Sequence, residues 1–445
     1  MKYDFSGVTK GNKADFMLEG VAYYDAFVAL IDDATECIHL QTYIFEMDIF
    51  GSRVHQALIN AAKRGVKTYV IIDSVGSKEF TSKNEADLVA AGIHFVRFNS
   101  LHIRWLYQWG RRMHHKIMLA DYRKAIVGGI NVTTSGYGND KVIGQQLDFA
   151  VFLEGPILFQ LSRYCQSVFR KSYPKNIYFA APPLSVVQKE NLSLQISIND
   201  WVYRRWKISQ RFSRITKTAE KEITIVNSYF FPRHKFMRQL IAASKRGVRV
   251  RLILPKISDW PSYILASQYL YANLLKNGIE IYQWEKSILH GKLATVDGKL
   301  STLGSFNLNY TSYQQNLEMN IEVFSENYTT NLNSVVDEII KVGCEKVEIK
   351  DLLVHSSLRT RILRRLFYII VSIIANFSVI LTYQEDGTHK SRNKYLSMLR
   401  VAAAMVFFLL GIFGAIMPII PGIPFFIISL LLMYRSILFN RKLSI

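Results

Sequence analysis

Short apolar runs alternate with stretches of helical period along most of the chain, the order expected of an α/β protein. From Cys37 to Phe45 the run Cys-Ile-His-Leu-Gln-Thr-Tyr-Ile-Phe predicts a strand, Val54 to Lys63 a helix stopped by Gly65, and Tyr69 to Ile72 a second, buried strand. The same order returns, with Ile223 to Phe231 as strand, Phe236 to Lys245 as helix, Gly247 as its stop and Val250 to Leu254 as strand. Each set is a β-α-β unit.

The repetition extends to the letters. Lys63-Arg64-Gly65-Val66-Lys67 returns as Lys245-Arg246-Gly247-Val248-Arg249, and Ala91-Gly92-Ile93 is echoed by Asn277-Gly278-Ile279, at offsets of 182 and 186. Solenoid units run roughly 20–50 residues, so this spacing describes two related α/β halves instead. The expected division is a first half over residues 1–172, a Pro-bearing linker over 173–200, a second half over 201–350 and a C-terminal region over 351–445.

That last region changes pattern altogether. No charge occurs from Val401 to Tyr434, although Pro418, Pro421, Gly422 and Pro424 interrupt the run, which favours a bent membrane hairpin over two full spans. Leu366 to Tyr383 is also uncharged and follows Arg359, Arg361, Arg364 and Arg365. The expectation is a helical membrane region with the catalytic body on the cytoplasmic side. The N-terminus has no basic segment leading into an apolar run, so no secretory signal is expected.

Composition narrows the partner. The 445 residues carry 55 Lys plus Arg against 35 Asp plus Glu, a formal charge of +20, which points to nucleic acid, anionic lipid or a phosphorylated small molecule. Cys37, Cys165 and Cys344 are too dispersed for a disulfide framework or a metal site and suit a reducing compartment.

One cluster carries chemistry, and it occurs in both halves. His114-x-Lys116-x4-Asp121 with Gly128-Gly129-x-Asn131 matches His290-x-Lys292-x4-Asp297 with Gly304-Ser305-x-Asn307, every position displaced by 176. Residues i and i+2 of a strand share a face, so each His and its Lys should point the same way. Asp121 and Asp297, which complete the expected catalytic set, fall at the next turn, where a carboxylate can bond backbone or the neighbouring half. A phosphodiester requires a nucleophile, an acid for the leaving alkoxide and positive charge on its non-bridging oxygens. Two imidazoles on opposite sides of one phosphorus can supply the first two, and Lys116, Lys292, Asn131 and Asn307 can clamp the oxygens. No cluster with metal-ligand spacing accompanies them, so neither metal nor cofactor is expected. Since each half holds only half of the equipment, the site should lie between the halves.

On these motifs the chain resembles the phospholipase D superfamily, over roughly residues 10 to 345. Within it the chain is similar to bacterial cardiolipin synthases of the short type, which lack N-terminal membrane anchors. Tyr43-Ile44-Phe45, Arg111-Arg112-Met113 before His114, and Leu147-Asp148 leading to Glu154-Gly155-Pro156 also carry that resemblance. It implies two packed α/β halves, mixed sheets flanked by helices, with the active site at their interface. It implies phosphatidyl transfer through a phosphohistidine, with His114 as nucleophile and His290 as acid and then base. Asp148 and Glu318, at like positions in Gln146-Leu147-Asp148-Phe149 and Asn316-Leu317-Glu318-Met319, correspond to family carboxylates that orient the imidazoles.

The expected activity is cardiolipin synthesis from two molecules of phosphatidylglycerol at a bacterial inner membrane, with an anionic lipid surface as partner and no nucleic acid. Phosphodiester hydrolysis by water and non-catalytic lipid binding are the competing readings. The remaining histidines, His39, His55, His94, His102, His115 and His234, lack a partner motif and read as structural or exposed. Two basic-aromatic stretches stay open. Trp201 to Lys221 is either a solvated amphipathic helix or a headgroup-contacting surface, and Leu101 to Arg112 suits a lipid interface or a base-stacking channel.

Overall fold

A computed structural model of the chain describes residues 7–99, 111–134, 146–173, 177, 179, 190–353, 356–382, 403–404, 407 and 429–432. The first half contains β1 (Thr9–Leu18), α1 (Val21–Asp32), β2 (Cys37–Thr42), α2 (Ile49–Lys63), β3 (Lys67–Asp73), α3 (Ser82–Ala90) and β4 (His94–Phe98). It continues with β5 (Arg112–Met113), β6 (Lys116–Ala120), β7 (Lys124–Gly128), β8 (Gln146–Leu147), β9 (Phe149–Glu154) and α4 (Ile157–Ser172). The second half runs β10 (Leu192–Asp200), β11 (Arg205–Trp206), α5 (Lys207–Thr218), β12 (Glu222–Asn227), α6 (His234–Lys245), β13 (Arg249–Pro255), α7 (Pro261–Lys276) and β14 (Glu280–Trp284). There follow β15 (Ile288–Leu289), β16 (Lys292–Val296), β17 (Leu300–Gly304), α8 (Tyr310–Gln314), β18 (Asn316–Phe324), α9 (Glu326–Gly343), β19 (Cys344–Lys346), α10 (Ile349–Leu353) and α11 (Leu358–Thr382).

Each half is a mixed sheet, and the two have one topology. The first is ordered β1-β9-β7-β6-β2-β3-β4. The second is ordered β10-β18-β17-β16-β12-β13-β14 with β19 on its edge. In each, the parallel trio follows from the β-α-β units read in the sequence. Their helices end alike, with Gly65 at φ +90° and Gly247 at φ +92°, where a side chain would be strained.

Strands β6 and β16 are buried on both faces, which explains why they read as continuous apolar runs. Ile117 and Leu119 join a central core with Leu293, Leu303, Met319 and residues of α4 and α9. Met118 and Ala120 face an outer core under α1, α2 and α3, while Ala294 and Val296 face its counterpart under α5, α6 and α7. The central core draws on both halves and so fixes the relation of one sheet to the other.

One expectation needs correction, and one open pair of readings is decided. Residues 192–200, assigned to the linker, form β10, the second half's equivalent of β1, with Leu194, Ile196 and Ile198 buried at a period of two against β18. The nearby prolines mask this alternation, and Ser197 and Asn199 between the apolar positions are buried as well. The basic stretch 201–221 is helical only from Lys207, and Ile208, Phe212 and Ile215 seat that helix in the outer core. It is thus an ordinary amphipathic packing helix.

Residues 369–445 form a separate compact unit. The run from Leu366 is helical to Thr382, whereas most of 401–434 lies outside the described residues. Within this unit Ser429 Oγ donates to the Ala404 carbonyl at 2.7 Å. Among the described residues no helix is long and apolar enough to cross a membrane, so the expected spanning region has no counterpart there.

A buried ion pair staples the halves near their junction. Arg111, preceding β5, meets Asp200, at the end of β10, at 2.8 Å with side chains 8% and 4% exposed. The guanidinium lies over Phe98 at 5.2 Å and Tyr203 at 5.4 Å. Removing one member of such a pair strands the other charge. Arg111→Met should therefore lower stability by about 3 kcal/mol, and adding Asp200→Leu should recover much of the loss. Denaturant unfolding of the two variants measures this; a double variant worse than the sum of the single losses would contradict it.

Candidate active site

The two motif histidines meet through an exchange between the halves. Strand β5 pairs in parallel with the start of β18, and β15 pairs in parallel with β8. These short ladders place His114 N–H 2.9 Å from the Leu317 carbonyl and His290 N–H 2.9 Å from the Leu147 carbonyl. The next residue along each acceptor strand supplies the carboxylate. His114 Nδ1 lies 3.0 Å from Glu318 Oε2, and His290 Nδ1 lies 2.6 Å from Asp148 Oδ2. Each imidazole is therefore positioned, backbone and ring, by the half it does not belong to.

With Nδ1 donating to a carboxylate, Nε2 is the ring atom left for chemistry. Burial pushes both imidazoles below the ordinary histidine value. For His114 the Glu318 charge opposes that shift and Lys116 reinforces it, and for His290 Lys292 adds to it while Asp148 opposes it. Burial thus biases both rings toward the neutral form in the empty site. Their carboxylates stay charged: burial works against Asp148 and Glu318, but Lys292 and His290 outweigh it for the first and His114, Ser305 and Ser312 for the second.

Sequence at the neighbouring glycines makes room for these pairs. A Cβ at Gly129 would stand 2.3 Å from Asp148 Oδ1, so only glycine admits that carboxylate. The second half places Ser305 there, and its hydroxyl donates to Glu318 Oε2 instead. Glu318 Oε1 also accepts from Ser312 Oγ at 2.6 Å and Asn316 Nδ2 at 3.0 Å.

Lys116 and Lys292 are 4% and 2% exposed and donate to the carbonyls of His114 and His290. Burial and the Lys292 charge push Lys116 down to about 7, and burial pushes Lys292 down to about 8. The effect of the Lys292 charge on Lys116 and His114, and of the Lys116 charge on His290, places all four motif side chains in one electrostatic neighbourhood. A buried cation pair of this kind is a receptor for an anion.

The motif aspartates are elsewhere. Asp121 and Asp297 sit at the far ends of β6 and β16 with φ of +52° each, a left-handed conformation that Asp tolerates through local hydrogen bonds. Asp121 accepts from the N–H groups of Thr35, Glu36 and Cys37 and from Thr35 Oγ1 at 2.8–3.0 Å. Asp297 accepts from the N–H groups of Glu220, Lys221 and Glu222. They hold the turns that lead into β2 and β12 with their oxygens committed to backbone, one of the two partners their turn position allows. Asn131 and Asn307 have their carboxamide oxygens engaged, by Ile44 N–H at 3.1 Å and Ser228 Oγ at 2.7 Å. His115 faces away, between Gln41 at 2.8 Å and Tyr164 at 3.3 Å. The aromatic stretch 101–110 and His102 lie outside the described residues.

Three neighbours were not singled out for chemistry. The ring of Tyr43 meets His114 edge-on at 5.0 Å, and that of Tyr229 meets His290 at 6.4 Å. The recurrence of Tyr43-Ile44-Phe45 as Tyr229-Phe230-Phe231 is the signal for this pair. Glu19 donates its N–H to the Asp148 carbonyl at 3.0 Å and accepts from the Tyr24 hydroxyl at 2.8 Å. Burial, and then the Asp148 charge, push its carboxyl up to about 8. Register gives Asn199 as its counterpart, which caps α5 through Ile208 N–H, so Glu19 has no equivalent and no repeated signature. Among the described residues no group of His, Cys, Asp or Glu is arranged to hold a metal ion.

Comparison with known proteins places this geometry. A family model described as cardiolipin synthase, phospholipase D-like domain, matches residues 27–172 and 213–340. Cardiolipin synthase B of Escherichia coli K12 is 31% identical over 346 residues, covering 76% of this chain and 83% of that protein. The cardiolipin synthase of Geobacillus kaustophilus is 27% identical over 342 residues, 75% of this chain and 66% of that protein. The crystal structure of phosphatidylserine synthase from Haemophilus influenzae superposes with a TM-score of 0.64 at 12% identity, over 83% of this chain and 95% of the other, a likeness of fold.

Asp121→Ala should leave three backbone donors without their acceptor and cost roughly 3 kcal/mol of stability while sparing turnover per folded molecule. Backbone donors hold this carboxyl below its ordinary value against the opposing effect of burial, so its contribution is present above about pH 4 and lost as the pH falls through the native value. Chemical unfolding paired with active-site titration tests this; unchanged stability with lost turnover would place Asp121 in the chemistry. The lysines give a slope of the same sign in a higher pH range, because burial disfavours their charge where backbone donors favour that of Asp121. An unfolded chain keeps them protonated to about pH 10, whereas the empty folded site releases those protons near 7 and 8. Stability of the ligand-free protein should therefore rise from pH 7 to 9 relative to Lys292→Met, and unfolding midpoints of the two that run parallel with pH would refute the assignment.

Proposed function

Since the chain belongs to the phospholipase D-like family of cardiolipin synthases, we propose that it transfers a phosphatidyl group from one phosphatidylglycerol to another, making cardiolipin and releasing glycerol. The observation that carries this reading is the crossed pairing of His114 with Glu318 and His290 with Asp148. It leaves two neutral Nε2 atoms beside one pair of buried ammonium groups.

A phosphodiester entering between the lysines brings negative charge, which stabilises their protonated forms and raises the imidazoles from their depressed values. His114 Nε2 attacks phosphorus and the bond to the glycerol oxygen breaks. His290, protonated at Nε2, gives its proton to that oxygen, and glycerol leaves. The headgroup hydroxyl of a second phosphatidylglycerol then loses its proton to His290 Nε2 and attacks the same phosphorus. The phosphorus–nitrogen bond breaks, restoring neutral His114 and forming cardiolipin. One phosphate ester is exchanged for another of similar kind, so no nucleotide has to be spent. Lys116 and Lys292 hold the non-bridging oxygens, and the NH2 groups of Asn131 and Asn307, whose oxygens are engaged, add neutral donors.

Residues 1–172, and 201–350 together with β10, act as one catalytic body. Residues 351–445 carry the juxtamembrane arginines and the apolar segments that keep it at a bacterial inner membrane, its cleft facing the cytoplasm. Phosphatidylglycerol vesicles incubated with the full chain should yield cardiolipin and glycerol in equal amounts. Phosphatidic acid in place of cardiolipin would establish a hydrolase, and vesicle binding without product a non-catalytic protein. His114→Ala and His290→Ala should each reduce turnover by about 10³-fold or more. Enzyme quenched in denaturing detergent at mildly alkaline pH should carry phosphatidyl on His114, and its recovery on His290 alone would reverse the two roles.

A further inference from the structure

Strands β2 and β3 run parallel, as do β12 and β13, so each pair ends at one edge of its sheet. In both halves that edge is the catalytic one. Tyr43 follows β2 and faces His114; Asp73, the last residue of β3, accepts from Met113 N–H at 2.9 Å, immediately before His114. Tyr229 follows β12 and faces His290; its hydroxyl donates to Asp259, in the loop after β13, at 2.6 Å.

These two loops expose apolar side chains in equivalent places. Val75, two residues beyond β3, is 43% exposed, and Ile257, two residues beyond β13, is 49% exposed. Trp260, next to Asp259, is 61% exposed and holds a fixed place, with its N–H on Ser258 Oγ at 3.1 Å and Pro261 starting α7. Scattered surface aliphatics are ordinary; repetition at the same loop position in both halves, beside one cleft, is not expected of scatter.

Helix α11 reaches the same rim. Arg364 donates to Gln268 of α7 at 3.0 Å, Tyr368 stacks on Tyr269 at 4.5 Å, and Tyr368 packs on Phe231, two residues beyond Tyr229, at 5.5 Å. Its Leu358, Ile362 and Leu366 are 71%, 57% and 46% exposed at a spacing of four, one face of a helix, with Arg359, Arg361 and Arg365 exposed between them. Apolar residues flanked by arginines suit the boundary of an anionic bilayer, where tryptophan also resides.

We propose that this rim, the loops after β3 and β13 with the start of α11, docks on an anionic phospholipid bilayer, Val75, Ile257 and Trp260 entering between the headgroups and setting the cleft at headgroup depth. The proposal rests on the transferase reading for its substrate, since a diacyl phospholipid keeps its chains in the membrane while its phosphate is handled. The net charge of +20 complements such a surface. The role differs from tethering: a C-terminal anchor would hold the protein near the bilayer without fixing which face it presents.

The test uses the full chain with Cys344→Ser, because Cys37 and Cys165 are buried. Ile257→Cys and Trp260→Cys are labelled with an environment-sensitive fluorophore. The control is Val89→Cys, 54% exposed near the end of α3, at the edge where β4 begins and thus opposite the cleft. On phosphatidylglycerol vesicles the labels at 257 and 260 should shift to shorter wavelength and be quenched by acyl-brominated lipid, with the label at 89 unchanged. A label at 260 that stays solvent-like on vesicle-bound protein overturns the proposal, as does a shift without lipid that accompanies a doubling of mass, which assigns the face to a second copy. Ile257→Ser with Trp260→Ser should lower turnover of vesicle lipid about tenfold and leave turnover of short-chain, monomeric phosphatidylglycerol unchanged; equal loss on both overturns docking. Labels that enter the bilayer in a protein making no cardiolipin would support docking and remove the transferase reading, so the two fail separately.

Discussion

Two adjacent residues of one half hold each reactive imidazole of the other. Leu317 takes the N–H of His114 on its carbonyl and Glu318 takes the ring; Leu147 and Asp148 do the same for His290. Attachment at both backbone and ring leaves an imidazole little freedom, which is what a nucleophile that must meet phosphorus in line requires. It also means that neither half contains an oriented histidine by itself. The central core shared by both sheets and the buried Arg111–Asp200 pair are therefore conditions of the site as well as of stability.

The electrostatic cost of the site is concentrated in its lysines. Two lysines buried in one electrostatic neighbourhood are each pushed well below their ordinary value, so the empty cleft holds positive charge at a disadvantage that an anion relieves. Lys116 and Lys292 are kept there by the carbonyls of their own motif histidines, which ties the spacing His-x-Lys to one geometry: the same two residues present ring and cation on one side of the strand. The third motif member solves a different problem. Asp121 and Asp297 satisfy the backbone donors at the turns leading into β2 and β12, and those strands deliver Tyr43 and Tyr229 to the imidazoles.

The duplication is close without being complete. Gly129 admits Asp148 by having no side chain, whereas Ser305 adds a donor to Glu318. Glu19 lies beside Asp148 where the other half has the helix-capping Asn199. The two imidazoles thus stand in related but unequal surroundings, as the proposed division into nucleophile and acid needs. On the docking proposed above, the apolar residues at the cleft edge extend this logic outward to the level of a headgroup.

Local pattern determined the β-α-β units, the duplication and the candidate residues of the site, because strand period, glycine stops and a spaced motif are all properties of neighbouring positions. His114, Lys116, His290 and Lys292 could be picked from spacing alone, and Asp148 and Glu318 from their like positions in the two halves and the family resemblance. Which carboxylate serves which imidazole could not, for the pairing joins residues 204 and 142 positions apart, across an interface that only packing creates. A motif records only that residues recur together, and the β6 and β16 strands carry Asp121 and Asp297 to the far edge, onto backbone, one of the partners their turn position allowed. Strand β10 hid behind prolines because its polar positions are buried too, satisfied by partners in β18 and α5. Glu19 had no signature at all, since its raised proton affinity comes from burial beside Asp148, a property of three-dimensional proximity and not of sequence.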